Sequence, residues 1–181
     1  MAQQIHGSAT APTPATPATP AVHATASSSG QFVRFTLIAA VIAAAAAFLS
    51  ETVGLHAWAM FVGWVAWFTR PASALHGVHA VICLWAGMLL AVAGHLIVAF
   101  LSPSIGVAAL PVAVFVLACV AVGMRTTPVL DNMLAWFVGL VAFFALHPEN
   151  ILTGLFTLIA ASAVGAGAGY ACQRLQHRFA A

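Results

Sequence analysis

Apolar residues fill this chain in six blocks, at residues 32–50, 55–69, 74–101, 105–124, 129–146 and 150–173. The breaks between them carry Glu51 and Gly54, then Arg70-Pro71, Ser102-Pro103, Thr127-Pro128 and His147-Pro148. Proline beside a helix end lacks a donor that the helix no longer needs, so these breaks read as helix boundaries. No block alternates polar and apolar positions as a barrel strand does. In lipid every backbone polar group needs an internal partner, so the pattern predicts an all-α membrane protein with six transmembrane helices. The second and fifth helices are short: residues 55–69 rise about 23 Å, against roughly 30 Å of hydrocarbon.

One of the short blocks returns later in the chain. Residues 59–68 (A-M-F-V-G-W-V-A-W-F) reappear 76 positions on as residues 135–144 (A-W-F-V-G-L-V-A-F-F), with seven of ten positions identical. Pro71 pairs with Pro148, and Gly77 with Gly154, one insertion later. Each copy sits in the middle of a triplet of helices, the halves covering about 32–101 and 105–173. Three crossings is an odd number, so the second half enters the bilayer from the opposite face. The expected architecture is an inverted 3+3 repeat.

At 100° per residue, Ala59, Gly63 and Ala66 share one helix face, with Phe61, Trp64 and Phe68 opposite. The copy places Ala135, Gly139 and Ala142 against Phe137, Leu140 and Phe144. Small residues four apart let helix backbones touch. The two small faces are therefore a candidate path or packing seam, with the short helices as a central pair. The sixth helix carries its own small track, Ala161, Ala163, Gly165, Ala166, Gly167 and Gly169, suited to tight packing within the chain or against a second copy.

Composition fixes the class. The chain of 181 residues is 63% hydrophobic and 4% charged, with a mean hydropathy of +1.06. Soluble domains carry roughly 25% charged residues, so this one could not cover a water-facing surface. A net charge of +2 without a basic run is too small to argue for nucleic acid, so no such partner is expected. If all six blocks cross, Arg34, Arg70, Arg125, Arg174 and Arg178 fall on one side and Glu51 and Glu149 on the other. The positive-inside rule then places both termini in the cytoplasm. Re-entrant second and fifth blocks would scatter the arginines. Asp131, an acid on the arginine side, is expected at the start of the fifth helix, where free N–H groups favour a carboxylate; Asn150 suits the same role at the sixth. Residues 1–30, with the run T-A-P-T-P-A-T-P-A-T-P-A, are expected to form a disordered cytoplasmic tail ahead of a transmembrane domain at 31–178. They lack the basic start and apolar core of a secretory signal, and His6 and His23 have no evident task there.

Candidate chemistry is sparse. Polar groups at membrane depth are costly and default to functional suspects. His95 falls inside the third block, and His56 and His147 at the outer ends of the second and fifth, level with Glu51 and Glu149. Together His56, His95, His147 and Glu149 form a candidate protonatable outer mouth, because imidazole titrates near neutrality. His76 and His79, three apart, share a face but lack a third metal ligand. Cys83, Cys119 and Cys172 lie apart in apolar runs, as small filler. Trp58, Trp64, Trp67, Trp85 and Trp136 include interfacial anchors. No nucleophile elbow, phosphate loop, intramembrane carboxylate pair or haem-attachment motif is present, so neither an enzyme nor a cofactor or metal is expected.

The pattern Trp58, Ala59, Phe61, Gly63, Trp64, Ala66, Trp67, Phe68, the proline after it and the short second and fifth spans resemble the YcdZ-like family of small bacterial inner-membrane proteins over about residues 33–173. The resemblance implies six inner-membrane spans in a bacterium and carries no activity and no functional residues. The reading that follows is a small-solute or ion channel or facilitator of unknown substrate. The competing one is a membrane scaffold or regulator acting through helix–helix contacts. Its partners would be the bilayer and, as a candidate, a second copy of the chain.

Overall fold

The computed structural model describes residues 29–70 and 73–179. The Pro/Thr-rich stretch with His6 and His23, and Pro71, lie outside the described residues. The described chain is helical throughout: α1 (Ser29–Thr52), α2 (Ala57–Phe68), α3 (Ala74–Ile105), α4 (Ala109–Gly123), α5 (Met133–Leu146) and α6 (Ile151–Phe179). Two 3-10 turns flank α4, at Gly106–Ala108 and Met124–Thr126. Three helical stretches are long and apolar enough to cross a bilayer: Gly30–Thr52, Ala74–Thr126 and Ile151–Phe179. The middle one folds back on itself, and α2 and α5 are the shorter apolar helices. The protein is thus an all-helical one of membrane-embedding composition.

Local chemistry sets the ends. Asn150 accepts from the N–H groups of Leu152 (3.0 Å) and Thr153 (3.1 Å), and so caps α6 as expected. Asp131 does not cap α5. Asn132 takes that position, its Oδ1 accepting from Ala135 N at 3.2 Å, because Asp131 turns to Arg70 instead. Ser102-Pro103 does not end α3, which continues to Ile105. Proline there deprives only the Ala99 carbonyl of its partner, one turn from a helix end where such bonds are already lapsing. The turn that reverses the chain is Gly106, at φ +57 with open space around it, a conformation that suits glycine. Beyond it α4 packs back on α3: a stripe of Ala109, Ala113, Leu117 and Ala121 is buried, and Leu117 fills the hollow left at Gly94.

Neighbours in the chain are not the main partners. The small face of α2 lies on α6, and the small face of α5 lies on α3. Met60 faces Gly165 and Trp67 faces Gly169, so α2 and α6 run in the same direction; Cys83 meets Val129 and Gly87 meets Trp136, so α3 and α5 do too. One continuous core joins α2 to α6, with Leu84, Met88, Phe143 and Leu158 among its fully buried side chains. Among the described side chains of α1 only Ala46 and Ser50 are buried, and that helix leans on α6 at the edge.

The ends of the bundle differ in charge. Gln176 donates to the Phe35 carbonyl, Trp67 Nε1 to Gln173 Oε1, and Asn132 Nδ2 to Thr69 Oγ1. These bonds, with the Arg70–Asp131 ion pair, bring Arg34, Arg70, Arg174 and Arg178 to one end; Arg125 adjoins the same loop. Glu51, closing α1, and Glu149, before α6, lie at the other.

Candidate functional site

The six small residues of the repeated stretch are all buried, and they divide between two seams. A methyl group at Gly63 would overlap the Ser162 carbonyl of α6, and one at Gly165 the Met60 carbonyl of α2. At the other seam a methyl on Gly139 would overlap the Leu84 carbonyl, and one on Gly87 the Trp136 carbonyl. Ala59 and Ala66 flank the first contact, Ala135 and Ala142 the second. Helix backbones therefore touch directly, the closest packing that side-chain loss allows. Gly87, Ser162 and Trp85 escape a reading confined to the ten-residue match. The signal exists at a different offset: Gly87 and Gly165 are 78 positions apart.

These small faces do not point at each other. Between α2 and α5 lies an apolar cleft of about 350 Å³, lined by Trp58 and Val62 on one side and Phe137, Val138 and Val141 on the other. No polar side chain of the described residues lines it. The polar group beside Gly63 at the α2–α6 seam is Ser162, fully buried, which accepts from Trp85 Nε1 at 3.0 Å and donates to the Ile159 carbonyl at 3.1 Å. Both its roles are filled within the protein.

Two of the four outer-mouth residues do come together. His95 of α3 and His147 at the end of α5 line one cleft of about 720 Å³, otherwise walled by Val114, Leu117, Leu140, Phe143 and Phe144. His147 is the non-glycine residue with positive φ (+46) among the described residues, closing α5 in the left-handed conformation. Its Nδ1 lies 3.2 Å from the Ala145 carbonyl. A carbonyl only accepts, so in that contact the ring donates through Nδ1–H. His56 and Glu149 stand elsewhere at that end: His56 stacks on Trp58 with ring centroids 6.3 Å apart, and Glu149 is exposed. The cleft can thus offer two imidazoles to a polar group, with no carboxylate in its lining.

At the arginine end Asp131 pairs with Arg70, and that hydrogen bond holds its carboxyl below the usual 3.8 of an aspartate. Ser73 Oγ lies 2.7 Å from His76 Nδ1, and the His76 and His79 rings meet edge to face at 6.5 Å. Among the described residues no three His, Cys, Asp or Glu side chains gather as a metal site would require. A model of the family described as "Protein of unknown function (DUF1097)" matches residues 36–177. The chain belongs to that family. No curated protein and no solved structure matches it. The DUF1097 match begins inside α1 and ends inside α6, so it takes in both seams, the two-histidine cleft and, at the arginine end, Arg70, Arg125 and Arg174.

Proposed function

We propose that this DUF1097 protein is a non-enzymatic scaffold or regulator of a bacterial inner membrane, acting through helix–helix contacts. It has six spans, as its YcdZ-like pattern implies, arranged by its internal repeat as an inverted 3+3 bundle, with both termini in the cytoplasm. The observation that carries the reading is the pair of closed seams: the repeated small faces are spent on backbone contact with α6 and α3, and the space between α2 and α5 is apolar. A conducting path needs polar groups to replace hydration. The repeat is supported by the exchange of partners. Advancing one half onto the other turns the α2–α6 pair into α5–α3, and Met60 against Gly165 into Trp136 against Gly87. Orientation is supported by the arginines at one end and the glutamates at the other. The measurement is flux through vesicles holding the purified chain, over a panel of ions and small neutral solutes. The scaffold reading expects the permeability of empty vesicles; a saturable flux above that level sinks it.

One observation favours the channel or facilitator: the cleft shared by His95 and His147. On that reading the same vesicles conduct, and His95→Leu with His147→Ala abolishes the flux. Conduction indifferent to both substitutions would remove the cleft from the path.

A further inference from the structure

We infer that the groove between α3 and α6 near the arginine end is a seat for one anionic phospholipid, its acyl chain in the groove and its phosphate on Arg174. The groove has a volume of about 500 Å³. That lies within the roughly 300–1,000 Å³ of ordinary ligand sites. Along α3 it extends from Ala74 to Trp85. That rise is about 16 Å, half of the roughly 30 Å hydrocarbon and so the depth of one leaflet.

Small residues carve it. Ala163, Ala166 and Gly167 line the α6 side, and beyond Gly167 there is open space where a side chain would stand. Its aromatic walls are held from behind. Trp67 gives its indole N–H to Gln173 and Trp85 gives its own to Ser162, both at 3.0 Å. Tyr170 packs edge-on against Trp67, with ring centroids 5.6 Å apart. With their polar atoms satisfied inside the bundle, both indoles present carbon to the groove, which is formed before any lipid arrives.

The inner rim is cationic and has no acid to answer it. Arg174 donates its Nε–H to Tyr170 Oη at 2.9 Å, and its guanidinium lies 5.3 Å from the centre of that ring. The four remaining guanidinium N–H groups have no carboxylate partner among the described residues. Asp131 is taken by Arg70, and Glu51 and Glu149 are at the far end. His177 and Arg178 stand beside Arg174 on the last turns of α6. A planar, weakly hydrated cation fixed against an aromatic ring suits a phosphodiester, and basic sites beside helix grooves are where anionic headgroups bind.

Quenching of tryptophan fluorescence tests this. The full chain is titrated in vesicles with brominated phosphatidylglycerol or brominated phosphatidylcholine. A saturable component that prefers the anionic lipid is expected, since bromine in the groove lies against Trp67 and Trp85. Arg174→Gln should lower that preference about fivefold. Gly167→Leu should remove the saturable component for both lipids. It fills open space and replaces glycine by a better helix former, so the fold tolerates it. If Arg174→Gln lowers the preference while Gly167→Leu leaves the component untouched, the attraction is diffuse and the seat does not exist. If neither variant changes quenching, or if Gly167→Leu changes only the oligomeric mass, a second copy or the bulk bilayer covers the groove and the inference fails.

Discussion

At the arginine end, side chains far apart in sequence hold the helices to one another: Trp67 to Gln173, Asn132 to Thr69, Gln176 to the Phe35 carbonyl, and Arg70 to Asp131. These contacts span 61 to 141 positions and join α1, α2, α5 and α6. At the glutamate end the side-chain hydrogen bonds among the described residues stay within six positions, as from Ala57 N to Glu51 or from Thr153 N to Asn150. There the helices are capped one by one, and a cleft of about 720 Å³ opens between α3, α4 and α5. A bundle tied at one end and only packed at the other has its freedom to part concentrated at the second. In this chain that is where the two imidazoles sit.

Substitutions can measure this contrast, and the midpoint sets its scale. Gly165→Leu drives a side chain into the Met60 carbonyl, which cannot retreat without moving α2, so a loss of more than about 4 kcal/mol and no monodisperse species by gel filtration are expected. Next comes the tied end. Asn132→Leu removes the cap of α5 and the N–H that Thr69 Oγ1 accepts, for about 1–3 kcal/mol in a denaturing-detergent titration monitored by circular dichroism. A smaller effect, visible in its pH dependence, is expected for Asp131→Asn. The folded carboxyl titrates below its ordinary 3.8, so the pair stabilises the fold above that value, and the contribution is lost as pH falls through the folded pKa. The variant should lack that acid-side decline, and a parallel decline in both proteins would show that the ion pair is not its source. Smallest are His95→Leu and His147→Ala at the open end, each within about 0.5 kcal/mol. A larger loss at either histidine would mean that the glutamate end is held by contacts of its own.

The helices could be read from the chain because their signal is local. Six apolar blocks became six α-helices, and Asn150 caps where an asparagine before an apolar run should. Two local readings failed for physical reasons. Pro103 sits so near the end of α3 that its missing N–H breaks nothing essential, and the acid at 131 found a cation more rewarding than the helix N–H groups, leaving the cap to Asn132. The small faces on α2 and α5 were legible from spacing, but not what they face. Their partners lie roughly 100 and 50 positions away, on helices whose own glycines, Gly165 and Gly87, belong to a weaker repeat at another offset. Spacing along the chain puts His56 and His147 level with Glu51 and Glu149 and His95 deeper in its helix; only the packing of α3 beside α5 separates the pair that shares a cleft from His56 and Glu149, which do not.

The pairing of α2 with α6 also sets an order of events during synthesis. Roughly 80 residues separate the end of α2 from the start of α6, of order 4–16 s of elongation at roughly 5–20 residues per second. Through that interval the short second helix leaves the ribosome with its glycine face bare, and nothing the chain has yet made can cover it. A nascent chain cut anywhere before Ile151 never closes that face.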